Sequence, residues 1–97
     1  MKKIFKYEIQ PEDYQKLELP KGSKILSVLE QYEKVVLYAL VNPSESNVEV
    51  YDIAVKGTGH DFPPNFPPKL DSYTFLGSVK LMRGVLIFHI FYKKAED

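Results

Sequence analysis

Apolar and polar positions alternate with a period of two along most of this chain. That is the pattern of strands whose side chains point in turn to a core and to solvent. Phe5, Tyr7 and Ile9 share one face, with Lys6 and Glu8 opposite, so residues 3–9 read as a half-buried strand. Pro11, Glu12 and Asp13 break it. Residues 12–19 are short, but Leu17 and Leu19 alternate with Lys16 and Glu18, which favours a second strand. Residues 20–23 carry turn chemistry, with Pro20 presetting φ. Residues 24–31 read as a third strand, with Ile25 and Leu29 on one face and Leu26 and Val28 on the other. Tyr32 and Glu33 then form a hairpin tip.

Residues 35–41 are apolar on both faces and rich in β-branched side chains, which predicts a central strand buried on both sides. Residues 42–47 are a loop, and 48–55 alternate again. Residues 73–80 form the sixth strand, with Tyr73, Phe75 and Val79 on one face. Gly77 in its middle marks a bulge or a close backbone approach. Met82, Arg83 and Gly84 turn the chain into a strongly apolar last strand, 85–92, and the charged tail 93–97 is expected to fray. Seven short strands and no long 3.6-residue period predict an all-β, or mainly β, domain. The architecture expected is a compact antiparallel sandwich or small barrel.

One stretch departs from this pattern, a Gly/Pro-rich loop over 56–72. Lys56-Gly57-Thr58-Gly59-His60-Asp61-Phe62 runs straight into Pro63-Pro64-Asn65-Phe66-Pro67-Pro68. Two of the chain's five glycines and four of its seven prolines lie here. The prolines bar 63–68 from a central strand and predict an extended surface loop. Glycine takes φ > 0 and leaves backbone N–H groups accessible, so Gly57-Thr58-Gly59-His60 is a candidate anion cradle. Lys56 and His60 are candidate donors to the same anion. Phe62 and Phe66, stiffened by the prolines, are candidate faces for a base, where stacking is worth roughly 1–3 kcal/mol. The simpler reading is a tight turn with aromatics covering a sheet end.

Composition narrows the chemistry. A chain of 97 residues makes one domain, 1–97, which buries only about 60–65 % of its unfolded surface. Without cysteine it has no disulfide, thiolate nucleophile or Cys-based zinc site, a composition that fits a reducing cytoplasm. Thirteen basic and thirteen acidic residues cancel, which argues against binding duplex nucleic acid by bulk charge. Lys2, Lys3 and Lys6 at one end, and Lys93 and Lys94 at the other, read as solvated termini. Lys6, Glu8 and Gln10 interrupt any apolar segment of a secretory signal, and residues 35–41 are too short to span a bilayer. The expectation is therefore a cytoplasmic protein. Seven tyrosines and six phenylalanines exceed the needs of a small core and point to a subunit interface.

Enzyme readings are poor. His60 and His89 are the only histidines, and with Asp61 or Asp52 they match no zinc spacing. Thr58 near His60 and Asp61 has the letters of a triad, but turn-capping explains those residues as well. Gly57-Thr58-Gly59 lacks the Gly-Lys-Ser/Thr ending and the following helix of a phosphate-binding P-loop. His89 shares a strand face with Val85, Ile87 and Phe91 and reads as a satisfied core histidine. Arg83, the only arginine, sits at a hairpin tip and is the side chain best suited to grip a phosphate. No catalytic residue, metal or cofactor is expected.

The order of segments carries a resemblance. Residues 3–7, 19–28, 37–43, 57–60, 75–79 and 86–91 together resemble a family of small phage and prophage proteins classed as a domain of unknown function. The 62–68 insert is longer than that family's usual loop. The resemblance extends to phage sponges (anti-CBASS proteins) that sequester cyclic nucleotide immune signals. It implies a homo-oligomer in the host cytoplasm that binds a cyclic dinucleotide, such as a cyclic GMP-AMP, without cleaving it, with sites near subunit interfaces. Lys56, Gly57, Thr58, Gly59, His60, Phe62, Phe66 and Arg83 would be the ligand-binding residues. The alternative is a phage host-takeover or structural protein that binds another protein through a sheet edge or aromatic patch.

Overall fold

The alternating segments become strands, and a computed structural model describes them over residues 1–62 and 70–95. In chain order they are β1 (Lys3–Ile9), β2 (Tyr14–Pro20), β3 (Lys24–Gln31), β4 (Lys34–Val41), β5 (Val48–Gly57), β6 (Thr74–Leu81) and β7 (Leu86–Lys94). Two single 3₁₀ turns, Leu70–Ser72 and Met82–Gly84, flank β6. All pairings are antiparallel. One sheet has the order β1-β4-β3 and the other β2-β5-β7-β6, giving a sandwich rather than a closed barrel.

The core lies between the two sheets. Val35, Leu37, Ala39 and Val41 of β4 face Tyr51, Ile53 and Val55 of β5, joined by Ile9, Leu19, Val79 and Ile90. β4 is the central strand of its sheet, as its apolar run predicts. Its second face has no covering layer among the described residues; Val36 is buried there by its neighbours' side chains, while Tyr38 and Leu40 are half-buried.

Two bulges change which side chains face the core. In β3 the register slips between Ile25 and Ser27, so Val28 joins Ile25 on the core side and Leu29 turns outward. This corrects the strict alternation expected over 24–31, because one extra residue inverts every position after it. A second slip, between Phe75 and Gly77, separates Phe75 on the outer face from Val79 in the core. It sits at the glycine that signalled it. A β-carbon on Gly77 would stand 3.1 Å from Val28 Cγ1, so the missing side chain lets β6 close against β3.

The hairpin tips also follow from local chemistry. Tyr32 and Glu33 both adopt positive φ, the geometry of a two-residue I′ turn, without the usual glycine. Met82, Arg83 and Gly84 do the same at the β6–β7 tip. The tail does not fray where expected: Lys93 and Lys94 belong to β7, and Ala95 N–H donates to Val50 O at 2.8 Å. No helix among the described residues is long and apolar enough to cross a membrane.

Candidate functional site

The glycine stretch begins as the last residue of β5 and turns at once. His60 N–H donates to Gly57 O at 3.0 Å, and Gly59 holds φ +87°, which an L side chain resists. Thr58 N–H donates to Ile87 O at 3.3 Å and extends the β5–β7 ladder by one step. Gly57 N–H donates to His60 Nδ1 at 3.2 Å, and the imidazole lies where a Gly57 side chain would be, 2.7 Å from the position of its β-carbon.

These bonds change what the turn offers a ligand. The N–H groups of Gly57, Thr58 and His60 are all spent inside the fold. The turn therefore presents Gly59 N–H and His60 Nε2, while the Thr58 hydroxyl is engaged by His89 Nε2 at 2.9 Å. Because Nδ1 accepts from Gly57, the neutral His60 ring carries its proton on Nε2, an outward donor.

The turn faces the β6–β7 hairpin. Residues 57, 58 and 60 on one side and 84–88 on the other line an open groove of about 380 Å³. This falls at the small end of the roughly 300–1,000 Å³ typical of ligand sites. The structure thus brings Gly57, Thr58 and His60 together with the hairpin that carries Arg83, but Arg83 itself lines a different groove. That neighbour, about 610 Å³, is walled by Pro11, Leu81, Met82, Leu86 and Phe88 with Glu33 at its rim. Glu33 accepts from Met82 N–H at 2.7 Å and ties the two hairpin tips together.

Lys56 is placed differently from a ligand-binding cation. It is only 3 % exposed on the outer face of β5, where its ammonium pairs with Asp13 at 3.3 Å and donates to Asp61 O at 2.9 Å. It also lies 5.0 Å from the Phe62 ring centroid. Phe62 packs edge-on against Phe91, centroids 6.1 Å apart, so it covers the outer face of the sheet. Tyr73 is buried nearby in a small outer cluster with Ala54, Tyr14, Leu70 and Phe91. Its hydroxyl is held well above the usual tyrosine range, first by burial and then by the charge of Asp52. Phe66 and the 63–68 segment lie outside the described residues.

His89 is not in the core. It is half-buried on the outer face of β7, between two hydroxyls: Thr58 Oγ1 lies 2.9 Å from Nε2, and Ser78 Oγ 2.7 Å from Nδ1. Grouping His89 with Ile87 and Phe91 is right as to face. That face is the outer one, and the core takes Phe88, Ile90 and Tyr92 instead. Among the described residues no three His, Cys, Asp or Glu side chains converge as metal ligands.

A third feature had no sequence signal beyond scattered lysines. Lys16, Lys21 and Lys94 line a polar cleft of about 650 Å³ at the opposite end of the same sheet from the glycine turn. Glu49 organises it, accepting from Gly22 N–H at 2.7 Å and pairing with Lys94. The Gly22 bond, then the Lys94 bond, holds the Glu49 carboxyl below the usual carboxylate range. Lys16 is drawn to Asp52 at 2.9 Å, while the Lys21 ammonium makes no ion pair among the described residues.

The fold and these clefts define a small two-sheet β sandwich with ligand-sized grooves at strand ends. The chain belongs to a family described as a domain of unknown function (DUF7352), which matches it over residues 1–97. No curated protein and no solved structure matches it.

Proposed function

We propose that this protein is a non-catalytic binding module that takes a small phosphate-bearing nucleotide into the groove beside the glycine turn. A cyclic dinucleotide is the ligand class implied by the phage-like order of segments. Sequestering that ligand in the host cytoplasm would blunt an immune signal. The observation that carries this reading is the groove itself. It joins His60 Nε2–H and the backbone of Gly57 and Thr58 to the apolar hairpin wall 84–88, with Gly59 N–H in the same turn. Such a mix of a few donors and an apolar wall suits a phosphate next to a flat base.

The size of the groove supports a shared site. At about 380 Å³ it holds about one nucleotide, so a cyclic dinucleotide would span two copies related by a two-fold axis. Holding without cleavage is supported by His89, whose ring nitrogens meet two hydroxyls and no carboxylate. Calorimetry against a panel of cyclic nucleotides tests the reading, with Thr58→Val and His60→Ala as the site variants. Binding lost in those variants and kept in Lys21→Glu supports the groove. The reverse pattern places the ligand in the lysine cleft.

A second reading has its own observation. Met82, Val85 and Leu86 are exposed around the apolar 610 Å³ groove, Val85 by 74 %. Apolar patches of this kind mark contact with other proteins. A stoichiometric protein captured by wild type, lost in Met82→Glu and unaffected by nucleotide, would favour it.

A further inference from the structure

The two long sides of the sandwich differ. On one side β3 and β6 meet through the Val28–Gly77 contact, and that side is closed. The other side ends in β1 and β2, each the outermost strand of its sheet. Both therefore expose a row of backbone N–H and C=O groups without a strand partner among the described residues.

The same triplet sits in the middle of each edge: Lys6-Tyr7-Glu8 in β1 and Lys16-Leu17-Glu18 in β2. Tyr7 and Leu17 both pack against the main core, so all four charged side chains point outward, two from each sheet. Charges on an edge strand oppose pairing where like signs meet. These edges carry one charge of each sign, separated by one inward residue.

That spacing is self-complementary. In an antiparallel pair related by a two-fold axis, directly opposite residues share a face, so the axis passes through one residue of each strand. An axis at Lys6 sets Lys6 against its own copy, and one at Glu8 does the same for Glu8. An axis at Tyr7 pairs Lys6 with Glu8 of the other copy twice and sets Phe5 against Ile9. An axis at Leu17 pairs Lys16 with Glu18 twice. Apolar exposure points the same way: Ile4 is 60 % exposed, and Phe5, on the core side of β1, is still 42 % exposed.

We propose that the β1 and β2 edges pair with those of a second copy of this chain about an axis through Tyr7 and Leu17. The product is a dimer with a continuous six-stranded sheet over an eight-stranded one. In forming it, Lys6 exchanges its bond to Gln31, and Glu8 its exposed pair with Lys34, for partners on the other copy. Such exposed pairs contribute little to either state. This axis differs from the one a shared groove needs: Gly57 lies beyond the Tyr14 end of β2, so the two grooves of this dimer stand at opposite ends of the eight-stranded sheet.

The chain has no cysteine, so introduced ones report register directly. Native mass at about 50 µM protein should be twice 11.2 kDa. Oxidising an equimolar mixture of Lys6→Cys and Glu8→Cys should yield the mixed disulfide, because these positions face each other. Ile4→Cys should not link to itself, since its copy lies roughly 20 Å away along the strand. Lys6→Glu and Glu8→Lys should each weaken the dimer about tenfold or more, and the double exchange should restore it. A monomer at this concentration, a dimer that links through Ile4→Cys, or one that fails to link the mixed pair overturns the proposal. All three sites are exposed, so folding is not at issue.

Discussion

The imidazole of His60 occupies the space that a side chain on Gly57 would need, and Nδ1 accepts that glycine's own N–H at 3.2 Å. Gly57 is therefore required for the position of His60 rather than for a left-handed backbone, which belongs to Gly59. Gly57→Ala should push the exposed ring aside at a cost of about 1 kcal/mol or less, since one solvent-accessible hydrogen bond is lost. Imidazole ¹⁵N shifts should report the displaced ring while the melting temperature stays within about 8 °C of wild type. A large loss of stability would show that the ring supports the fold itself.

Gly77 meets Val28 in the opposite sense, inside the packed closure of β3 on β6. Gly77→Ala should destabilise by about 1–3 kcal/mol through overpacking. Adding Val28→Ala should recover much of that, which urea denaturation of the two single variants and the double variant measures as a coupling energy. Strictly additive losses would contradict the contact.

How far the sequence could be read depends on regularity. β1 was legible to the residue over 3–9 because Phe5, Tyr7 and Ile9 alternate without a break. β3 and β6 were legible as strands, but not in their facing, because a bulge leaves no mark in composition unless a glycine stands in it, as Gly77 does and Ser27 does not. The place of His89 was hidden for another reason. β7 is apolar on both faces, and alternation cannot tell which face meets the other sheet and which is covered by Phe62 and Tyr73. At the candidate site, Gly57, Thr58 and His60 were legible as a turn. The burial of Lys56 was not, because its partner Asp13 lies 43 positions earlier in the chain.

Lys56 should matter more to the loop than to the fold. Its carboxylate partner Asp13 is exposed and stays hydrated if the ammonium is removed, so Lys56→Met should change global stability by no more than about 1–2 kcal/mol. The Asp61 carbonyl loses its donor. Hydrogen exchange should therefore quicken over 58–62 while β5 and β7 remain protected. Uniform loss of protection would mean that Lys56 supports the whole sheet.

Glu49 gives the protein an acid-side dependence. Its folded carboxyl titrates below the unfolded value, so its contribution is present above the ordinary carboxylate range and disappears as pH falls through the folded pKa. Glu49→Gln should be less stable than wild type at pH 7, and the two should converge in acid, below the ordinary carboxylate range. Parallel urea titrations at the two pH values decide it; a gap that persists in acid would assign the loss to packing instead of charge.

The central claim is that a cyclic dinucleotide is held and not cleaved. Native mass spectrometry of the purified protein mixed with a cyclic GMP-AMP tests it most directly, followed by heating and analysis of what is released. The expected result is a protein–nucleotide complex that yields the intact cyclic nucleotide. Absence of any complex across the cyclic nucleotides, or release of a linear product, would contradict the account.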